Sequence, residues 1–151
     1  MPTLCQECGG TFPDGETCED RLNLTQIQEL EDPARFAVHQ LSIPSYLLQH
    51  NRYSARGWLV TRALLARFVA GEDPQRVRRE IRSAVDSGNR TFNFTRGPKQ
   101  AGVEAIRWSL TMADVRSDSA EHYCDDVRTW AQSVITDTEA LARANPLPTT
   151  A

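Results

Sequence analysis

Cys5-Gln6-Glu7-Cys8-Gly9-Gly10 places two thiols three positions apart, with glycine directly after the second. A turn that tight lets both sulfurs face one point, and glycine tolerates the backbone conformation the turn requires. Cys18 follows Cys8 after nine intervening residues. Three of the four donors of a closed tetrahedral site therefore stand in the first 18 residues, and zinc is the expected cofactor. A redox CxxC of the thioredoxin type sits between a strand and a helix of a βαβ unit, whereas only four residues precede Cys5 here.

The chain around this knuckle is that of an ordinary globular protein. It has 151 residues, 40% of them hydrophobic and 25% charged, enough to bury a core and too apolar for disorder. No apolar run approaches the ~20 residues of a membrane span, so no membrane partner is expected. The start shows neither a basic segment nor an apolar stretch of the secretory kind, and a cytoplasmic location is expected. Net charge is −3 and pI about 5.6, so no whole-molecule field draws the chain to nucleic acid. Lys99 is the only lysine among 17 basic residues, a bias toward arginine that carries no functional weight by itself.

Periodicity predicts a mainly α fold. Residues 1–18 form the knuckle, and 1–144 are expected to make one helical domain ahead of a disordered tail over 145–151. Thr17 reads as the N-cap of a first helix that puts Cys18 at its first position, where the helix dipole favours a thiolate. Leu24, Ile27 and Leu30 read as its apolar stripe, and Asp32-Pro33 as its stop and the start of a second helix. That second helix carries Phe36, Val38, His39 and Leu41, with an interruption expected at Ser42-Ile43-Pro44 before Tyr46, Leu47 and His50. A third runs from about Ser54 to Ala70 with Trp58, Thr61, Leu65 and Phe68 on one face, and a charged helix from Asp73-Pro74 to about Ser87. Alternation at Phe92 and Phe94, and again at Ile106, Trp108 and Leu110, predicts a small β-hairpin around residues 91–111. In the last helix Asp118 and Glu121 resemble a capping box, with Val127, Trp130, Val134 and Leu141 facing inward.

The fourth donor must come from His39, His50, His122 or Cys124. From Cys18 to Glu31 a helix advances roughly 20 Å, and a return after Asp32-Pro33 brings His50, rather than His39, back beside the knuckle. The expected ligands are thus Cys5, Cys8, Cys18 and His50, with His39 and His122 as alternative ligands or a second cluster. On a straight helix His39 and His50 stand about 16 Å apart and cannot share one ion. Each lone histidine also reads as a packing residue, and Cys124 as a small buried apolar group.

Cys5 to Gly9, Cys18, and the run from His39-Gln40-Leu41-Ser42-Ile43 to Tyr46-Leu47-Leu48-Gln49-His50 resemble a bacterial family known only as a domain of unknown function. Its members open on CxxCG and carry an HxLT(V/I)xxYxLQH segment. Thr111-Met112-Ala113-Asp114-Val115, His122, Val127 and Trp130-Ala131 are similar to its C-terminal part. Asn51 stands where the family pattern has proline. The resemblance implies no activity and directs attention to Cys5, Cys8, Cys18, His39, His50 and His122.

Three functions compete. The first is a structural zinc site that fixes the knuckle to a helical domain acting as a binding or interaction module. The second is a metal-dependent enzyme with a His39/His50/His122 centre and a carboxylate such as Glu29, Glu31 or Asp114 as base, although none of the HExxH, GxSxG or phosphate-loop patterns occurs. The third is nucleic-acid binding through Arg76, Arg78, Arg79 and Arg82, a run that more often forms a solvated helix face.

Overall fold

The computed structural model describes residues 1–86 and 95–147, with the backbone alone over 81–86. The fold is mainly helical, as the periodicity predicts. Two short strands, β1 (Thr3–Leu4) and β2 (Thr11–Phe12), pair antiparallel with Thr3 opposite Phe12 and Leu4 opposite Thr11. Then come α1 (Cys18–Glu31), α2 (Pro33–Phe36), α3 (His39–Gln49), α4 (Ala55–Val69), α5 (Pro74–Asp86) and α6 (Ala120–Ala144), with 3-10 turns at Val103–Ala105 and Met112–Asp114.

The α1 boundaries are those expected. Thr17 caps the helix in a capping box with Asp20, and Asp32 ends it while capping α2 through Ala34 N–H. The second helix differs: α2 lasts only four residues, the break falls at Ala37–Val38, and α3 runs unbroken through Pro44. Proline in a helix interior costs about 3 kcal/mol or more. Here Leu41, Tyr46 and Leu48, all on α3 and all buried, outweigh that cost by packing into the core.

The core lies where α3, α4 and α6 pack together. Val38, Leu48, Trp58, Leu65, Tyr123, Val127, Trp130, Ala131 and Val134 are fully enclosed there. Both core indoles are satisfied: Trp58 Nε1 donates to Leu48 O at 3.1 Å, and Trp130 Nε1 to Gln49 Oε1 at 3.2 Å. Gln49 passes the connection on, its Nε2 donating to Leu110 O at 2.7 Å.

The hairpin expected around 91–111 falls partly outside the described residues. Phe92 and Phe94 lie outside the described residues, and residues 95–111 form no strand ladder beyond a lone bridge between Lys99 and Ser54. The alternation itself is real, since Ile106, Trp108 and Leu110 are half-buried while Arg107 and Ser109 are exposed. Among the described residues, helix side chains hold this stretch: Gln49 donates to Leu110 O, and Asp137 of α6 accepts from both Ser109 N–H and Ser109 Oγ at 2.7 Å. The hairpin that does form is β1–β2, flanking the knuckle.

The inward face of α1 is also corrected. Cys18, Leu22, Thr25 and Glu29 are buried, whereas Leu24, Ile27 and Leu30 are 48%, 52% and 74% exposed. Glu29 is an ionisable group in the interior, 1% exposed, and Ser42 Oγ lies 2.6 Å and 2.9 Å from its two oxygens. His39 Nδ1 stands 3.5 Å from the same carboxylate. In α6 the capping residue is Ser119, which accepts from His122 N–H, and Asp118 is engaged instead by the His122 ring. The tail expected over 145–151 lies outside the described residues from 148 onward.

Two substitutions check this packing. Trp58→Ala empties the centre of the core and is expected to lower unfolding free energy by about 3–5 kcal/mol in urea denaturation. Ser42→Ala removes the hydroxyl donor of a buried carboxylate and is expected to cost about 1–3 kcal/mol, with Ser42→Thr losing less.

Candidate metal centre

The knuckle is shaped by its own backbone. Cys5 N–H donates to Gly10 O at 2.8 Å and Gly9 N–H to Cys5 O at 2.9 Å, closing a loop that turns both sulfurs inward. Gly9 takes φ +81°, a conformation that side-chain-bearing residues adopt rarely. Gly10 N–H reaches Cys8 Sγ at 3.4 Å. Gly10 is required by close contact: a Cβ there would lie 2.6 Å from Thr111 Oγ1 and 3.3 Å from Ala113 Cβ, so the missing side chain lets the knuckle sit against the Met112–Asp114 turn.

Cys18 enters from the first position of α1 and His50 from the residue just past α3. One donor atom each from Cys5, Cys8, Cys18 and His50 lies within 4.8 Å of all the others, close enough to hold a metal ion. Cys8 Sγ is 3.8 Å from Cys18 Sγ, and His50 Nε2 is 3.6 Å from Cys5 Sγ and 3.3 Å from Cys18 Sγ. All four cysteines are free thiols.

His50 is oriented from behind. Its Nδ1 lies 2.7 Å from Tyr46 O, so that nitrogen carries the proton and Nε2 turns its lone pair to the sulfurs. Tyr46, one helical turn back, stacks on the ring at a centroid distance of 3.9 Å. His50 is 2% exposed, and Cys8 and Cys18 are buried with it. The sulfurs polarise one another. The hydrogen bond from Cys18 holds the Cys8 thiol down at about 4 against the burial that opposes it, while the same contact and burial push Cys18 well up. Burial also raises the Tyr46 hydroxyl.

The other residues singled out in the sequence go elsewhere. His39 opens α3, at the opposite end of that helix from His50, stacked on Phe36 and facing Glu29. His122 pairs with Asp118 at 2.9 Å, and Cys124 Sγ donates to Ala34 O at 3.2 Å. The continuous α3 keeps His39 about 16 Å from His50, so the two do not share a centre. Of the arginines on α5, Arg76 is held by Glu72, Arg78 and Arg79 are exposed, and the side chain of Arg82 lies outside the described residues. Glu29–Ser42 is the feature that sequence reasoning missed: with Leu24, Ile27 and Leu30 read as the inward stripe, Glu29 falls on the face read as outward.

These features define a class: a small helical protein whose N-terminal hairpin knuckle contributes to a Cys3His cluster. The model of a family of unknown function, DUF5946, matches residues 3–139, and the chain belongs to that family. No curated protein and no solved structure matches the chain. Among the described residues no helix is long and apolar enough to cross a membrane.

The Gly10 contact is open to a direct test. Gly10→Ala is expected to force the knuckle away from Thr111 and to cost about 1–3 kcal/mol in thermal or urea unfolding, whereas Gly10→Ala combined with Thr111→Ala recovers part of the loss.

Proposed function

We propose that Cys5, Cys8, Cys18 and His50 hold one zinc ion in a structural role, and that the ion fixes the knuckle and the start of α1 to the end of α3 so that the helical body works as a binding module. The observation that carries this is the set of donor separations. With bonds of about 2.3 Å to sulfur and about 2.0 Å to nitrogen, a tetrahedron has edges of roughly 3.8 Å between sulfurs and roughly 3.6 Å between sulfur and nitrogen. The separations of 3.8, 3.6 and 3.3 Å lie close to those edges, and the remaining donor pairs stand within 4.8 Å.

Four protein donors fill a tetrahedral shell, and three of them, Cys8, Cys18 and His50, are buried. A catalytic zinc keeps one position for water, so the closed set favours a structural ion. A buried thiolate cluster also needs a cation to offset its charge, and three sulfurs suit zinc better than magnesium or calcium. The reading fits a reducing compartment such as the cytosol, where thiols remain free to bind metal.

Elemental analysis of unstripped protein is expected to show about one zinc per chain. Cys8→Ser is expected to lose the ion and to melt on the order of 10 °C lower, while Cys124→Ser keeps full zinc content. Zinc well below stoichiometry, or a Cys8→Ser melt like that of the parent, sinks the reading.

A further inference from the structure

The outward face of α1 carries apolar side chains that the fold leaves uncovered. Leu24, Ile27 and Leu30 follow one another at three-residue spacing, 48%, 52% and 74% exposed, on the side opposite the buried Cys18, Leu22, Thr25 and Glu29. Scattered exposed aliphatics are ordinary, but three in a row on one helix face make a continuous ridge.

The charges around the ridge are of one sign. Glu19 and Asp20 are exposed at its start and Glu31 at its end. The sole basic residue of α1, Arg21, is turned aside onto Glu16 and the Phe12 ring. Among the described residues neither Glu19 nor Glu31 enters an ion pair, and the Asp20 carboxylate caps Thr17 N–H.

This pattern selects the occupant. A second copy laid on the ridge, parallel or antiparallel, brings acidic ends against acidic ends, and like charges facing one another across an interface cost several kcal/mol. An anionic lipid surface is repelled for the same reason. What complements the ridge is a segment with aliphatic side chains at its centre and cationic side chains at both ends.

The ridge is also held rigid. Its first turn begins at Cys18 in the metal centre, and its last turn is tied to α3 by the buried contact between Glu29 and Ser42. A preformed face loses little entropy when a partner lies down on it.

We propose that the α1 ridge of Leu24, Ile27 and Leu30 is the docking surface of this module, and that its partner is a protein segment forming an amphipathic helix with lysine or arginine at both ends. The proposal rests on the binding-module reading above and names its surface and the chemistry of its partner.

The test uses the full-length, zinc-analysed protein and two synthetic peptides of α1's length. Both carry leucines along one helical face; one has lysines at both ends, the other glutamates. Titration followed by fluorescence anisotropy is expected to show the lysine peptide binding roughly tenfold or more tighter than the glutamate peptide, with the difference shrinking in high salt. Ile27→Glu is expected to abolish binding, and the double change Glu19→Lys, Glu31→Lys to reverse the peptide preference. An unfolded variant cannot produce that reversal.

Equal affinity for the two peptides, or binding of neither, overturns the proposal. So does self-association in sedimentation that Ile27→Glu removes, which makes a second copy the occupant, or binding to phosphatidylserine vesicles. Zinc content, measured on the same sample, separates the two failures. Full zinc without charge-selective binding removes the docking surface alone, and missing zinc removes the structural-ion reading.

Discussion

A single imidazole nitrogen facing three sulfurs brings together the knuckle, the start of α1 and the end of α3. The knuckle has only a two-residue strand pair of its own, and a hairpin that small is at best marginally stable in water. Its sulfurs meet Cys18 from α1 and His50 from the end of α3, and Gly10 lies against the Met112–Asp114 turn. The orientation of that nitrogen is set from inside the protein. Tyr46 O accepts the hydrogen bond from Nδ1 and the Tyr46 ring lies nearly flat on the imidazole, which together fix the ring's orientation.

α1 is the element most exposed to this arrangement. One end starts in the sulfur cluster and the other is drawn inward by a buried carboxylate on a serine. Its enclosed face contributes one leucine, one threonine, one cysteine and one glutamate, which bury little apolar area for fourteen residues. Its attachment therefore depends on polar contacts that are strong only while each partner stays in place, since a buried carboxylate or thiolate left alone is costly.

Much of this was legible in the chain. The CxxCGG spacing announces the knuckle, Thr17 and Asp32-Pro33 mark both ends of α1, and helix length alone selects His50 over His39. All of these follow from local chemistry or from the fixed rise of a helix. The misreadings arose where tertiary contacts override local pattern. Pro44 reads as a helix break, yet Leu41, Tyr46 and Leu48 keep α3 whole. Ile106, Trp108 and Leu110 alternate like a strand, yet their backbone is held by Gln49 and Asp137 from helices. A period of two says which residues turn inward and is silent on whether the partner is a strand or a helix.

The inversion of α1 has a different cause, and it bears on function. Periodicity assigns the aliphatic stripe of a helix to the core because water is the usual alternative. In α1 the inner face is claimed by groups whose geometry matters more than their hydrophobicity: the thiol that completes the cluster and the carboxylate that meets Ser42. Cys18 and Glu29 lie eleven residues apart, three helical turns, so fixing both on the inside fixes the whole rotation of the helix. Leu24, Ile27 and Leu30 then have nowhere to point but outward. A chain that needed only stability would favour polar residues there. That outward turn leaves the aliphatic ridge in solvent, and the docking surface proposed above is built on it.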